Sequence, residues 1–164
     1  MSSTNLIFPN EQMAFRDGLQ PLGMKRRFSE VLYSHLFAEK SLESRFVELC
    51  EFLEEIKAAK WTVATFFLYT MFPDRHMFIK PTVTKNAADI CHFDIHYRPN
   101  LNWHTYDAVL RFSQLLKGEL TKSELRPRDM IDVQSFMWCI RPDKTLKSFG
   151  KKKAKQIKVD EMTD

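Results

Sequence analysis

WTVATFFLYTMF, Trp61 to Phe72, is the stretch whose reading decides the fold. Nine of its twelve residues are apolar and the other three are threonines. Such a run buries well as a helix or as a strand, and periodicity alone does not separate the two. Length does, because buried strands usually run about four to eight residues. Helical patterns also flank it, so the run reads as a central helix closed by Pro73-Asp74.

Upstream, Phe46, Leu49, Cys50, Leu53 and Ile56 recur at helical spacing, while Glu48, Glu51, Glu54 and Glu55 occupy the other face. Ser41 is placed to cap this helix, and Lys57 and Lys60 suit the negative end of its dipole. An earlier helix over 24–40 carries Met24, Phe28, Val31, Leu32, His35 and Leu36 on one side, after a loop marked by Gly18, Pro21 and Gly23. Downstream, Arg75 to Lys80 reads as an extended link, because the residue before Pro81 is pushed out of helical geometry. Thr82 is placed to cap a helix bearing Val83, Ala87, Ile90 and Cys91. Phe93, Ile95 and Tyr97 then alternate with His92, Asp94 and His96, the pattern of a short strand or extended arm. Asn102 is placed to cap a helix over 103–120, and Pro127 suits the first turn of a last helix reaching Ile140.

These elements predict a single compact all-α domain of about six helices. It becomes an α-rich α+β fold if the extended pieces near Phe78 and Phe93 pair. The expected organisation is a mobile or loosely packed segment over 1–20, a helical domain over 21–142 and a basic, disordered tail over 143–164. Only four glycines argue against a turn-rich all-β fold and against a glycine-rich phosphate loop. The apolar stretch Leu6-Ile7-Phe8 stops at Pro9, too short for a leader. The longest uncharged apolar run is twelve residues, where a membrane span needs about twenty. With three scattered cysteines and no disulfide framework, the expectation is a soluble, cytoplasmic protein with no membrane contact. Nothing in the sequence indicates an oligomeric state.

Charge is unevenly placed. Residues 1–140 hold 17 Lys+Arg and 17 Asp+Glu, whereas 141–164 hold 8 and 4, so the whole net charge of +4 lies in the tail. The lysine run Lys151, Lys152 and Lys153 is a candidate for nucleic acid or an acidic partner. Two loops, His76 to Lys85 and Tyr97 to Tyr106, join proline, aromatic and basic residues to helix starts. There Lys80, Lys85 and Arg98 are candidate anion contacts and Trp103 a candidate base-stacking ring. Arg126 and Arg128 join this set at the start of the last helix.

His92-x-Asp94-x-His96 puts two imidazoles and a carboxylate on one face in either a helix or a strand, a donor set suited to zinc or iron, with His76 and His104 as further ligands. Asp129 and Asp132 share a helical flank. Asp132 and Gln134 sit inside the apolar run of the last helix and read as buried polar groups. Asp132 therefore needs an arginine, for which Arg75, Arg98 and Arg111 are candidates, a backbone N–H or solvent. No nucleophile elbow, Walker or dinucleotide fingerprint is present. No catalytic residue and no cofactor are nominated, and an enzyme is not the favoured reading.

The phrases FIKPTVTK (Phe78 to Lys85), YRPNLNW (Tyr97 to Trp103) and RPRDMIDVQSFMW (Arg126 to Trp138) resemble a set found together in bacterial proteins of unassigned function, over about Trp61 to Ile140. The resemblance implies a bacterial cytoplasmic module and no residue roles. The expected function is a non-enzymatic binding or adaptor module. It would contact nucleic acid or a nucleic-acid-processing partner through the two loops and the lysine run. One alternative is a metal-dependent hydrolase using His92, Asp94 and His96. Another is a structural protein–protein interaction domain presenting Glu48, Glu51 and Glu55.

Overall fold

The computed structural model describes residues 6–140, and among them the chain forms seven helices and no strand. These are α1 (Pro9–Gly18), α2 (Met24–Phe37), α3 (Leu42–Glu55), α4 (Trp61–Met71), α5 (Pro81–Ile90), α6 (Trp103–Lys122) and α7 (Met130–Cys139). The pieces near Phe78 and Phe93 are extended but do not pair, so the fold is all-α.

WTVATFFLYTMF is a helix with buried residues on more than one face: Trp61, Val63, Ala64, Leu68 and Tyr69 are all buried. Its threonines are tolerated because each hydroxyl is satisfied. Thr65 donates to the Trp61 carbonyl (2.7 Å) and accepts the Ile79 backbone N–H (3.0 Å), tying the following link to α4. Thr62 donates to Glu11 (2.8 Å), and Thr70 donates to the Phe66 carbonyl (2.8 Å).

Two aromatic clusters meet on α4. Phe15, Phe28, Phe52 and Phe67 join α1, α2, α3 and α4, with Phe15 edge-on to Phe28 at 5.1 Å. Phe46, Trp61, Trp103 and Tyr106 join α3, α4 and α6, with Phe46 stacked on Tyr106 at 4.4 Å. The first cluster ties α1 to the core through Phe15. Ile7 and Phe15 are core residues. Gly18 lies so close to α3 that an added Cβ would stand 2.5 Å from the Ile56 carbonyl oxygen.

Caps follow the sequence in two places, and a third, at Asp129, was not read from it. Ser41 and Asn102 accept the backbone N–H groups of Ser44 and Thr105. Asp129 caps α7 through the N–H groups of Ile131 and Asp132. Pro127 therefore lies before α7 rather than in its first turn. Lys80, not Thr82, is the N-cap position of α5, because Pro81 lacks an N–H and takes the first helical position.

With few glycines available, α3, α5 and α6 each end on a left-handed residue bearing a side chain: Lys57, His92 and Glu124, with φ of 57°, 51° and 64°. Each is followed by a bond closing six residues: Ala58 to Leu53, Phe93 to Ala88 and Leu125 to Leu120. This is the Schellman arrangement, usually built on glycine.

Candidate functional site

Residues 91–102, between α5 and α6, are pinned to the core at several points. The Trp61 indole N–H donates to the Arg98 carbonyl (2.9 Å), and the Thr105 hydroxyl donates to the His96 carbonyl (2.8 Å). The Tyr97 ring stands 6.4 Å from the Trp61 ring, and Lys85 Nζ lies 4.8 Å over Tyr97. The two aromatic–basic loops therefore meet at Tyr97. A cleft of about 460 Å³ opens on one side, lined by Lys85, Asp89, His92, Asp94 and Tyr97. A second, of about 340 Å³, opens on the other, lined by Lys60, Trp61, Pro81, Tyr97, Asn100 and Glu11. The cations Lys60, Lys85 and Arg98 share this face with Glu11, Glu54, Asp89 and Asp94, so it carries both signs of charge. Glu11 is already engaged, accepting Thr62 Oγ1 and the Phe8 N–H.

The other nominated residues are distributed as follows. Lys80 Nζ lies 4.5 Å from the Phe8 ring and 5.3 Å from the Trp138 ring, and this is where the third phrase reaches the first. Trp103 is half-buried against Phe46 (6.1 Å) and Tyr106 (5.9 Å). The first turn of α6 faces α3, so this ring packs into the domain instead of offering a face to a base. Arg126 is exposed, in left-handed backbone with φ 44°. Arg128 is bound to Asp132 through both Nε (3.0 Å) and Nη2 (3.2 Å), and its backbone N–H also donates to that carboxylate. Asp132 is thus not a buried group seeking a distant arginine. It is half-exposed, and the guanidinium four residues earlier, helped by that N–H, holds its carboxyl below the usual carboxylate range. Gln134 is buried as expected, and neither polar atom of its amide has a partner among the described residues. Lys151, Lys152 and Lys153 lie outside the described residues.

The histidine motif does not assemble as a ligand set. Asp94 turns back to its own loop, accepting the His96 N–H (2.7 Å) and pairing with His96 Nδ1 (2.9 Å). His96 stacks on His104 at 4.5 Å. The left-handed backbone at His92 is the end of α5. Among the described residues no group of three or more His, Cys, Asp or Glu side chains is placed to hold a metal ion. The cysteines are free; Cys91 and Cys139 are exposed, while burial pushes the Cys50 thiol up to about 12.

A second constellation was not visible in the sequence. His35 at the end of α2, Arg45 in α3, His76 in the link and Tyr106 in α6 come together beneath Phe46 and Phe72. His35 Nδ1 donates to the Arg45 carbonyl (3.2 Å), and Arg45 Nη1 donates to the His35 carbonyl (2.8 Å). His76 Nδ1 meets the Tyr106 hydroxyl at 3.2 Å. Burial lowers both imidazoles to about 4, reinforced by the Arg45 charge at His35 and by the Arg75 and Arg45 charges at His76, so both are neutral near pH 7. The one sequence signal was a histidine at position 35 on an otherwise apolar helix face.

This chain matches no known family, curated protein or solved structure. The reading of its function therefore rests on the Tyr97 face and the buried cluster themselves.

Proposed function

We propose that the protein is a non-enzymatic binding module that contacts nucleic acid, alone or within a nucleic-acid-processing assembly, through the Tyr97 face. The observation that supports this is the meeting of the two loops at Tyr97, with Lys85 over the ring and Arg98 exposed beside it. The lysine run at 151–153 adds positive charge to a domain that is otherwise neutral. Because the face holds acids as well as bases, the contact is with a few phosphates, weak and salt-sensitive. Because Trp103 is half-buried against Phe46 and Tyr106, base stacking contributes little and sequence preference is low.

Fluorescence anisotropy with labelled single- and double-stranded DNA and RNA, over a salt series, tests this. Saturable binding is expected at low salt, with dissociation constants on the order of tens of micromolar. Replacing both Lys85 and Arg98 by alanine removes about two phosphate contacts, so the slope of log affinity against log salt falls by about 1.5–2. Absence of binding to every one of these nucleic acids discards the reading. Binding that survives the double substitution but vanishes on deleting residues 150–164 moves the contact from the face to the tail.

A further inference from the structure

Arg45 is the described cation whose surroundings are least balanced. Its Nε is buried with no hydrogen-bond partner, and among the described residues no carboxylate lies within ion-pair distance of it. The nearby acids are turned elsewhere. Glu48 is held by Ser34 (2.9 Å) and Lys40 (3.4 Å), and Asp74 pairs with Arg75 (3.1 Å). A partly buried guanidinium without a counter-charge is expensive.

His35, fully buried, carries a second orphan. Its Nδ1–H is committed to the Arg45 carbonyl, which makes Nε2 the lone-pair nitrogen, and Nε2 has no partner. A missing donor and a missing acceptor thus lie in one cluster. Arg45 and His76 are only half-buried, so each keeps part of its side chain in solvent.

We propose that Arg45, His35, His76 and Tyr106 form a binding site for a small oxyanion, a phosphate or carboxylate group, which enters beside Arg45 and is accompanied by a proton. The anion accepts the Arg45 Nε–H that is now unpaired. His35 Nε2 takes up the proton and becomes a second donor to the same anion. No bond is made or broken in the ligand; the balance is one anion and one proton in. Coupling is built in by the charges that face the two imidazoles. Arg45, Glu48 and His76 act on His35, and Arg75, Arg45 and Asp74 act on His76. With the site empty, burial first and the arginine charges second keep both rings neutral. A bound anion cancels that effect and favours the imidazolium. The site is separate from the Tyr97 face, so its test does not depend on nucleic-acid binding.

Calorimetric titration of the full chain with sulfate, inorganic phosphate and formate tests the proposal. Sulfate is the reference because its charge is constant over the range used. One saturable site is expected, with sulfate affinity rising about tenfold per pH unit from pH 6.5 down to 5 for one linked proton. Preference for phosphate or for formate then identifies the group the site takes. In nitrogen-15 spectra of the imidazoles, His35 should change from the neutral Nδ1–H form to the imidazolium on saturation at pH 6. That measurement needs no variant. Arg45→Gln, which keeps an amide able to donate to the His35 carbonyl, should weaken sulfate at least tenfold. Deleting residues 150–164 should leave it within twofold. The proposal is overturned by no saturable binding of any of the three anions, by binding with His35 still neutral, or by binding lost only with the tail.

Discussion

Three helix ends carry a strain that glycine would remove, and its size follows from the backbone. Lys57, His92 and Glu124 hold φ of 57°, 51° and 64°, and all three are exposed. A side-chain-bearing residue in the left-handed region costs about 1–2 kcal/mol. Glycine removes that cost but gives back about 0.5–1 kcal/mol, because the unfolded chain gains freedom. Each Lys57→Gly, His92→Gly or Glu124→Gly change should therefore stabilise by about 0.5–1 kcal/mol. The three sites close different helices, so their effects should add to about 1.5–3 kcal/mol. For a domain of this size that raises Tm by about 3–12 °C. Thermal melting followed by far-ultraviolet circular dichroism, on the three single variants and the triple, measures it. Unchanged or lower Tm in the triple variant would show that these ends are not the strained Schellman closures described here. A drop confined to His92→Gly would mean that the imidazole makes a contact essential to the fold.

Other perturbations have equally definite outcomes. Gly18→Ala forces a Cβ against the Ile56 backbone and should destabilise by about 1–3 kcal/mol; an unchanged urea midpoint would mean that α1 does not dock as described. Asp129→Ala removes the acceptor of two backbone N–H groups and should cost about 1 kcal/mol, while Asp129→Asn or Asp129→Ser should cost much less. Because His35 is lowered from 6.5 to about 4, the unfolded chain binds its proton more readily. Its contribution is complete above pH 6.5, is lost as pH falls from 6.5 to 4, and changes no further below that. The total is about 3 kcal/mol, of which about 2 should already be missing at pH 5. Because His76 is lowered to the same value, the comparison is made in a His76→Asn background: urea unfolding at pH 7 and pH 5 there reads the His35 contribution, and equal stabilities would place His35 in contact with water.

Elements held together by neighbours along the chain were legible in the sequence. The helix at Trp61 to Met71 and the caps at Ser41 and Asn102 depend on spacing over a few residues, and the sequence displays that spacing. The helix Pro9–Gly18 was not legible, because it buries one of its own residues, Phe15, and docks through the absent side chain of Gly18. Asp132 was read as buried on the assumption that an apolar flank means burial. Its partner was four residues away and half in solvent. Trp103 illustrates the reverse difficulty, since a tryptophan at a helix start looks the same whether it faces water or Phe46. The cluster of His35, Arg45, His76 and Tyr106 draws one residue from each of four elements. No linear pattern encodes it, and only the fold brings its unpaired nitrogens together.

The bond from the Trp61 indole to the Arg98 carbonyl has a kinetic consequence. Trp61 belongs to the aromatic cluster on the central helix, so the loop presenting Arg98 is fastened to the buried core. That loop cannot swing aside without disturbing the packing of Trp61. A ligand arriving at Tyr97 thus meets a surface already in its bound shape. Stopped-flow association should show one exponential phase, with a rate that rises linearly with ligand concentration and does not level off.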